Sequence, residues 1–400
     1  MCGDYLPESL YFRTFAKIYV KKKAMNRKKN IINILTSLLF LTPLSASAQK
    51  ITLGSATTKD GGQYQGEMMQ GKPHGKGRAT YKNGNTYEGE YVKGKRQGFG
   101  IYTFFDGEKY EGEWFQDQQH GKGVYYFSNN NRYDGLWFRD SQHGHGVMYY
   151  FNGDKYDGEW KLDKRSGKGT YTFANGAYYK GDWRDDQKNG NGFYDWGDGS
   201  SYDGQWQNNV RSGKGTFRYA DGDQYIGQWS NDVQHGRGIY KFQNGDVYEG
   251  DYVDGERTGT GIFKYANGDK YTGQFREGDK YGQGTFVWKN GDQYVGMWSA
   301  DKPNGKGKLT KKSGDVFEGQ FKNGMIDGEG IARYADGSKF KGSFKNGKRN
   351  GAAIEEDKDG KRFEGTYQDD LRNGKFVEKD RNGKVIASGT YTRGHRQLDN

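Results

Sequence analysis

The chain has little of what most folds and most enzymes are built from. One cysteine, Cys2, occurs in 400 residues, so there is no disulfide framework and no thiol nucleophile beyond the extreme N-terminus. Hydrophobic residues reach only 32%, and half of that share is aromatic, which excludes a leucine–valine interior. The one apolar stretch of note, Ile31 to Leu41, is too short for a membrane-spanning helix. A one-sided charge is missing as well. Residues 1–48 hold eight Lys/Arg against Asp4 and Glu8, leaving 54 basic and 49 acidic residues in the 352 that follow. Both signs alternate there, as on an ordinary solvated surface, which argues against nucleic acid as a partner.

A unique catalytic constellation is also absent. His74, His120, His143 and His235 fall at one repeated phase directly before a glycine, which reads as a surface or turn role. His143 and His145 flank Gly144 without a third ligand for a metal. The acidic stretch from Asp195 to Gly199 lacks the oxygen spacing of a calcium loop. No glycine-rich loop opens a helix, and no Ser/His/Asp or paired-carboxylate set stands out. The expectation is a non-enzyme with no cofactor, no metal and no small-molecule substrate.

What is present is a beat. From Tyr64 an aromatic-x-Gly tripeptide returns every 23 residues fourteen times, at Tyr64, Tyr87, Tyr110, Tyr133, Tyr156, Tyr179, Tyr202, Tyr225, Tyr248, Tyr271, Tyr294, Phe317, Phe340 and Phe363. Such self-similarity means one supersecondary unit stacked on copies of itself. Upstream, residues 25–48 carry a basic stretch (Arg27, Lys28, Lys29), an apolar stretch, and the small residues Ala46 and Ala48 ahead of Gln49. That is the three-part secretory signal, with cleavage at Ala46–Ala48. Residues 1–24 then read as an unstructured upstream extension, 49–63 as a linker or cap, 64–383 as the array and 384–400 as a C-terminal remnant. Export without disulfides points to a bacterial periplasm or the extracellular space.

The unit beginning at Tyr156 shows the grammar. Tyr156, Gly158 and Trp160 alternate and so share one face of a strand. A polar stretch containing Asp163 reads as a loop, and Gly167, Gly169, Tyr171 and Phe173 alternate again as a second strand. Asn175-Gly176 is the strongest hairpin signal, predicting a two-residue turn with both residues at positive φ. Glycines in strands mark a close approach, and here the rings supply the bulk. The glycine at the third position (Gly112, Gly135, Gly158, Gly181, Gly204, Gly227) and the one eleven residues after each anchor recur in every unit. The sum is an all-β, single-layer antiparallel meander of about 28 strands, on the order of 100–130 Å long.

The pattern Y-x-G-x-W-x-x-x-x-x-x-G-x-G-x-Y-x-x-x-x-G at this period resembles the MORN repeat (membrane occupation and recognition nexus), over residues 64 to about 383. The resemblance implies an elongated single-sheet array of β-hairpins. It also implies scaffolding, dimerisation, partner docking and, in some members, binding of lipid head groups. No kinase signature accompanies the repeats.

Units differ in two ways. The six beginning at Tyr110 through Tyr225 carry Trp114, Trp137, Trp160, Trp183, Trp206 and Trp229 at the fifth position, with Asp or Asn at the eighth. The C-terminal units replace aromatic positions with Glu355, Asp357, Glu378 and Asp380, as a polar capping end should. The Trp-rich block, with Tyr125, Tyr171 and Tyr194, is the candidate groove for a protein partner or a second copy of the chain. Basic turns such as Lys93-Gly94-Lys95-Arg96 and Lys345–Arg349 motivate an alternative, an anionic phospholipid surface. Cell-wall glycan on the exposed rings is a third.

Overall fold

The computed structural model describes residues 50–399. The signal segment, with Ala46 and Ala48, and the upstream extension lie outside the described residues. Beyond them the chain forms one open antiparallel sheet of 32 strands, from Thr52–Thr57 to His395–Leu398, with no helix among the described residues. Each strand pairs with its sequence neighbours, except that Leu371–Arg372 and Gly374–Lys379 both pair with Arg362–Gln368, so the sheet is a meander of the expected all-β, single-layer kind. It has four strands more than the expected 28: Thr52–Thr57 precedes the first unit, Val385–Thr392 and His395–Leu398 follow the last, and the second strand of the last unit is split into Leu371–Arg372 and Gly374–Lys379.

The two turns of the unit are the reverse of the sequence expectation. Lys155–Lys161 turns into Lys164–Thr172 through Leu162 (φ 49°) and Asp163 (φ 65°), so the polar stretch read as a loop is the two-residue left-handed hairpin turn. Asp163 is fixed in that conformation by the preceding unit: its N–H donates to the Gln142 carbonyl at 3.1 Å, and its carboxylate accepts the Gln142 N–H at 2.7 Å. The Asn-Gly turn is the larger one. Phe173 N–H donates to Ala177 O and Gly176 N–H to Phe173 O, both at 2.9 Å, and only Gly176 (φ 90°) is left-handed. A right-handed turn closed by one left-handed glycine needs one residue more than the primed pair, and Asn175 serves it by accepting the Ala177 N–H at 3.1 Å.

Leu162 has no such fixing and is 61% exposed. A left-handed L-residue costs about 1 kcal/mol or more, and Asn tolerates that region better than Leu. Leu162→Asn is therefore expected to raise stability by about 0.5–1 kcal/mol; denaturant melts that show an unchanged or lower midpoint would contradict it.

The interior is rings on glycine. The register slips between Gly158 and Trp160, which takes the Glu159 carbonyl out of the ladder, and the Tyr156 hydroxyl donates to that carbonyl at 3.0 Å. The same bond, 2.7–3.2 Å long, is made by all eleven anchor tyrosines. The anchor is thus tyrosine because the bulge frees a buried carbonyl that needs a donor. Gly158 faces Gly169 across the hairpin, and the ring of Tyr156 lies on that pair. A Cβ on Gly169 would stand 2.3 Å from the Tyr156 hydroxyl oxygen and 2.6 Å from ring carbons.

Trp160 and Trp183 then close on the two sides of Tyr156 edge-to-face, with centroids at 5.2 and 5.4 Å. The Trp160 indole N–H reaches back to the Gly146 carbonyl of the previous unit at 3.1 Å. Rings therefore join each unit to the next in addition to strand pairing.

This aromatic spine is continuous to Phe321, and a second cluster runs from Ala332 to Tyr391. The break falls at Phe317, whose ring is not among the atoms nearest Gly319 or Gly330, whereas every anchor tyrosine lies against its glycine pair. At the far end Glu355 binds Arg372 at 2.8 Å and Tyr367, while Glu378, 8% exposed, binds Arg396 at 2.8 Å. The lost rings are replaced by a buried ion network rather than by a simply solvated edge.

Candidate functional site: the aromatic face

Every unit turns the same set of side chains to the aromatic face. Anchor rings form the floor and are 0–1% exposed from Tyr64 to Tyr294. The six tryptophans Trp114, Trp137, Trp160, Trp183, Trp206 and Trp229 lie on that floor at 5–7% exposure. They are walls of the interior, not an open contact surface, because each indole is clamped between consecutive anchors. Tyr125, Tyr171 and Tyr194 stand beside them half-buried. Tyr171 donates to Asp154 at 2.7 Å, and Tyr125 donates to Glu108. That bond holds the Glu108 carboxyl below the usual glutamate range. The structural glycines Gly112, Gly135, Gly158, Gly181, Gly204 and Gly227 each face a second glycine across their own hairpin.

Above the rings lies a layer that sequence reasoning missed, contributed by the tenth residue of the unit, which is Arg or Lys in eight of the fourteen units and Pro73, Gln119, Gln142, Gln234, Pro303 or Ile326 in the others. Arg96 sits 4.4 Å over Trp114, and its guanidinium donates to the Asp117 carbonyl at 3.0 Å. Arg165 repeats this on Trp183 at 4.4 Å with Asp186 at 3.0 Å, and Arg211 on Trp229 at 4.4 Å with Asp232 at 2.9 Å. Lys280 covers Trp298 beside Asp301, and Arg349 covers Tyr367 beside Asp370. Each cation belongs to one unit and each ring and carboxylate to the next. The array is thus laced by cation–π and ion-pair contacts.

Lys188 breaks the rule, since it covers Trp206 at 4.2 Å but meets Asn209 instead of a carboxylate. Burial against the rings lowers its ammonium to about 8. A charged Lys188 therefore costs stability below about pH 8, and that cost disappears as pH rises toward the unfolded lysine value near 10.5. Asn209→Asp should add about 1 kcal/mol at pH 7 and much less at pH 9.5. An equal gain at both pH values in paired denaturant melts would refute this.

Gln119 and Gln142 break it differently. Here Trp137 with Asp140 and Trp160 with Asp163 keep the ring and the carboxylate, but the covering cation is replaced by an amide. An open cavity of about 680 Å³ lies over these two units.

The histidines take no part in this face. His120 rests between Phe115 and Phe138 at 5.6 and 5.4 Å, His143 lies against Phe138, and His145 reaches Asp157 at 3.2 Å. No group of three metal-ligating side chains occurs among the described residues.

A sheet in which each unit repeats much the same side chains defines a tandem-hairpin repeat protein. The chain belongs to the MORN repeat family: fourteen consecutive units between residues 64 and 384 match the family's repeat. Repeats of this family serve as non-catalytic protein- or membrane-interaction modules.

No curated protein matches the chain. Among solved structures it resembles the Drosophila melanogaster SAS-4 TCP domain, solved with a proline-rich motif of Ana2, at 15% identity and TM-score 0.23, over 54% of this chain and 96% of that one. The TCP10 domain of Danio rerio CPAP aligns at 10% identity and TM-score 0.17, over 73% and 99% of the two chains. Virginiamycin B lyase from Staphylococcus aureus aligns at 10% identity and TM-score 0.13, over 77% and 96%. At these scores the superpositions are too poor to support any argument about this chain.

Proposed function

We propose that the chain is an exported, non-catalytic scaffold that holds a protein partner, or a second copy of itself, along its aromatic and glycine-floored face. The observation that carries this reading is the open stretch over Trp137 and Trp160, where neighbouring units fill the same space with their own cations. A regular structural ladder has no need of that gap, whereas a docking groove does.

The alternative of an anionic phospholipid surface draws on basic turns, and these are partly consumed inside the protein. Arg96 has only 13% of its side chain exposed and is held by Trp114 and Asp117; Arg349 is held by Tyr367 and Asp370. The groove itself carries Asp140 and Asp163, which repel anionic head groups.

The test is size-exclusion chromatography with light scattering, joined to co-purification from an envelope extract. Self-association or a stoichiometric protein partner is expected. A strictly inert monomer would overturn the reading, and so would recovery only on anionic liposomes.

A further inference from the structure

Five units show what the aromatic face does when it is complete: a cation from one unit covers the fifth-position ring of the next and meets the carboxylate at that unit's eighth position. Two adjacent units keep the ring and carboxylate without the cation. Asp140 and Asp163 each accept a backbone N–H at 2.7 Å, from Gln119 and Gln142, and form no ion pair among the described residues. Gln119 and Gln142 are 7% and 6% exposed and line the cavity. Neither side-chain amide makes a hydrogen bond among the described residues, unlike Gln234, which donates to Tyr219 at 3.0 Å. The nearest cation of the ladder, Arg165, is already committed to Asp186 at 3.0 Å. The site therefore holds two indoles beneath neutral amides instead of cations, and two carboxylates without a counter-ion among the described residues.

We propose that these are two cation seats, filled by Arg or Lys side chains from a polyproline-type segment of a partner protein lying along the groove. The partner's side chains would do in trans what Arg96, Arg165 and Arg211 do within the chain. Successive seats are one hairpin apart, about 9.6 Å at two strand spacings. A polyproline II segment has three residues per turn and rises about 3.1 Å per residue, so two basic residues three apart stand on one side of it at about the same spacing. The planar guanidinium fits this arrangement best, since it stacks on the ring while donating sideways to the carboxylate. This rests on the docking reading above and names the chemistry of the partner.

The probe is a fluorescein-labelled proline-rich peptide with two arginines three residues apart, titrated against the full exported chain by anisotropy. Binding is expected to weaken at least tenfold when the arginines are moved to a spacing of two or replaced by citrulline. The double variant Gln119→Arg/Gln142→Arg fills the seats from within. It should lose binding at least tenfold while its melting temperature stays level or rises, which separates occlusion from unfolding. Asp140→Asn/Asp163→Asn should weaken binding with the rings intact. Equal binding to wild type and the Gln→Arg variant, or no binding to wild type, would overturn the proposal. So would retention on phosphatidylcholine vesicles in place of peptide, which would assign the seats to a quaternary ammonium. If the peptide fails while the chain still recovers a protein partner, the seats are wrong and the scaffold reading stands; if no partner is recovered either, both fall.

Discussion

Gly169→Ala is expected to cost about 3 kcal/mol or more, an unusually large effect for the addition of one methyl group. The methyl would stand 2.3 Å from the Tyr156 hydroxyl oxygen and 2.6 Å from two ring carbons. The ring has nowhere to go. Its edges are held by Trp160 and Trp183 at 5.2 and 5.4 Å, and its hydroxyl is bonded to the Glu159 carbonyl at 3.0 Å. Displacing it breaks that bond and both ring contacts together, and leaves a buried carbonyl without a donor. Gly176→Ala is the control, because its φ of 90° is strained for alanine but nothing lies within 4 Å; it should cost only about 1–2 kcal/mol.

The protein already contains the compensated version. Ala353 replaces the glycine facing Gly342, and in that unit the anchor is Phe340, which has no hydroxyl and remains 0% exposed. Tyr156→Phe should accordingly recover part of the loss in Gly169→Ala. Denaturant melts of the two single variants and the double variant measure that coupling; simple additivity would contradict the ring-on-glycine account.

Alkali should unfold the array steeply just above pH 10. Burial raises the hydroxyls of all eleven anchor tyrosines, first through desolvation, with Tyr64, Tyr248 and Tyr294 pushed up to about 12 and the others higher. Their folded values lie above the unfolded value near 10. The stability they hold is fully present below pH 10 and is lost as pH rises toward the folded values. Within that window the unfolded chain has released protons that the folded chain keeps, and each tyrosine removes about 1.4 kcal/mol per pH unit. One such group in each of eleven of the fourteen units is enough to end the structure before the native hydroxyls titrate.

Tyrosinate absorbance and far-ultraviolet circular dichroism should then change together in one narrow interval. Tyr156→Phe/Tyr179→Phe should reduce the slope of stability against pH by about two protons' worth, at a cost of about 1 kcal/mol per lost hydroxyl bond at neutral pH. Ionisation of the anchors at pH 10 with the sheet intact would show that they are not buried as described.

The parts of this structure that repeat were open to reading from the sequence, and the parts that join one unit to the next were not. Spacing alone placed Tyr156, Gly158 and Trp160 on one face and matched rings to glycines, since alternation within a strand is local. The turns were exchanged because Asn175-Gly176 looks like the tight hairpin signal. What decides the matter is Asp163, whose left-handed conformation is held by Gln142 from the preceding unit. The covering layer was missed for the same reason. Arg96 pairs in sequence with Tyr91 across its own hairpin, yet its guanidinium acts on Trp114 and Asp117 in the next. The signal was present as a correlation at a distance of 21 residues between the tenth and eighth positions. The six tryptophans stood out in the sequence as departures from the other units, and their burial between consecutive anchors was not legible there, because their large faces are where the units cover one another.

The central claim is that the aromatic face over Trp137 and Trp160 is where the protein meets its partner. Photo-crosslinking of the full chain tests it directly, with a photoreactive residue placed at Gln142 on that face or at Leu136, whose side chain is 38% exposed and lies on the opposite face. The account predicts a discrete protein adduct from position 142 that disappears when Gln119 is replaced by Arg, and none from position 136. Equal adducts from both positions, or an adduct from 136 alone, would contradict it.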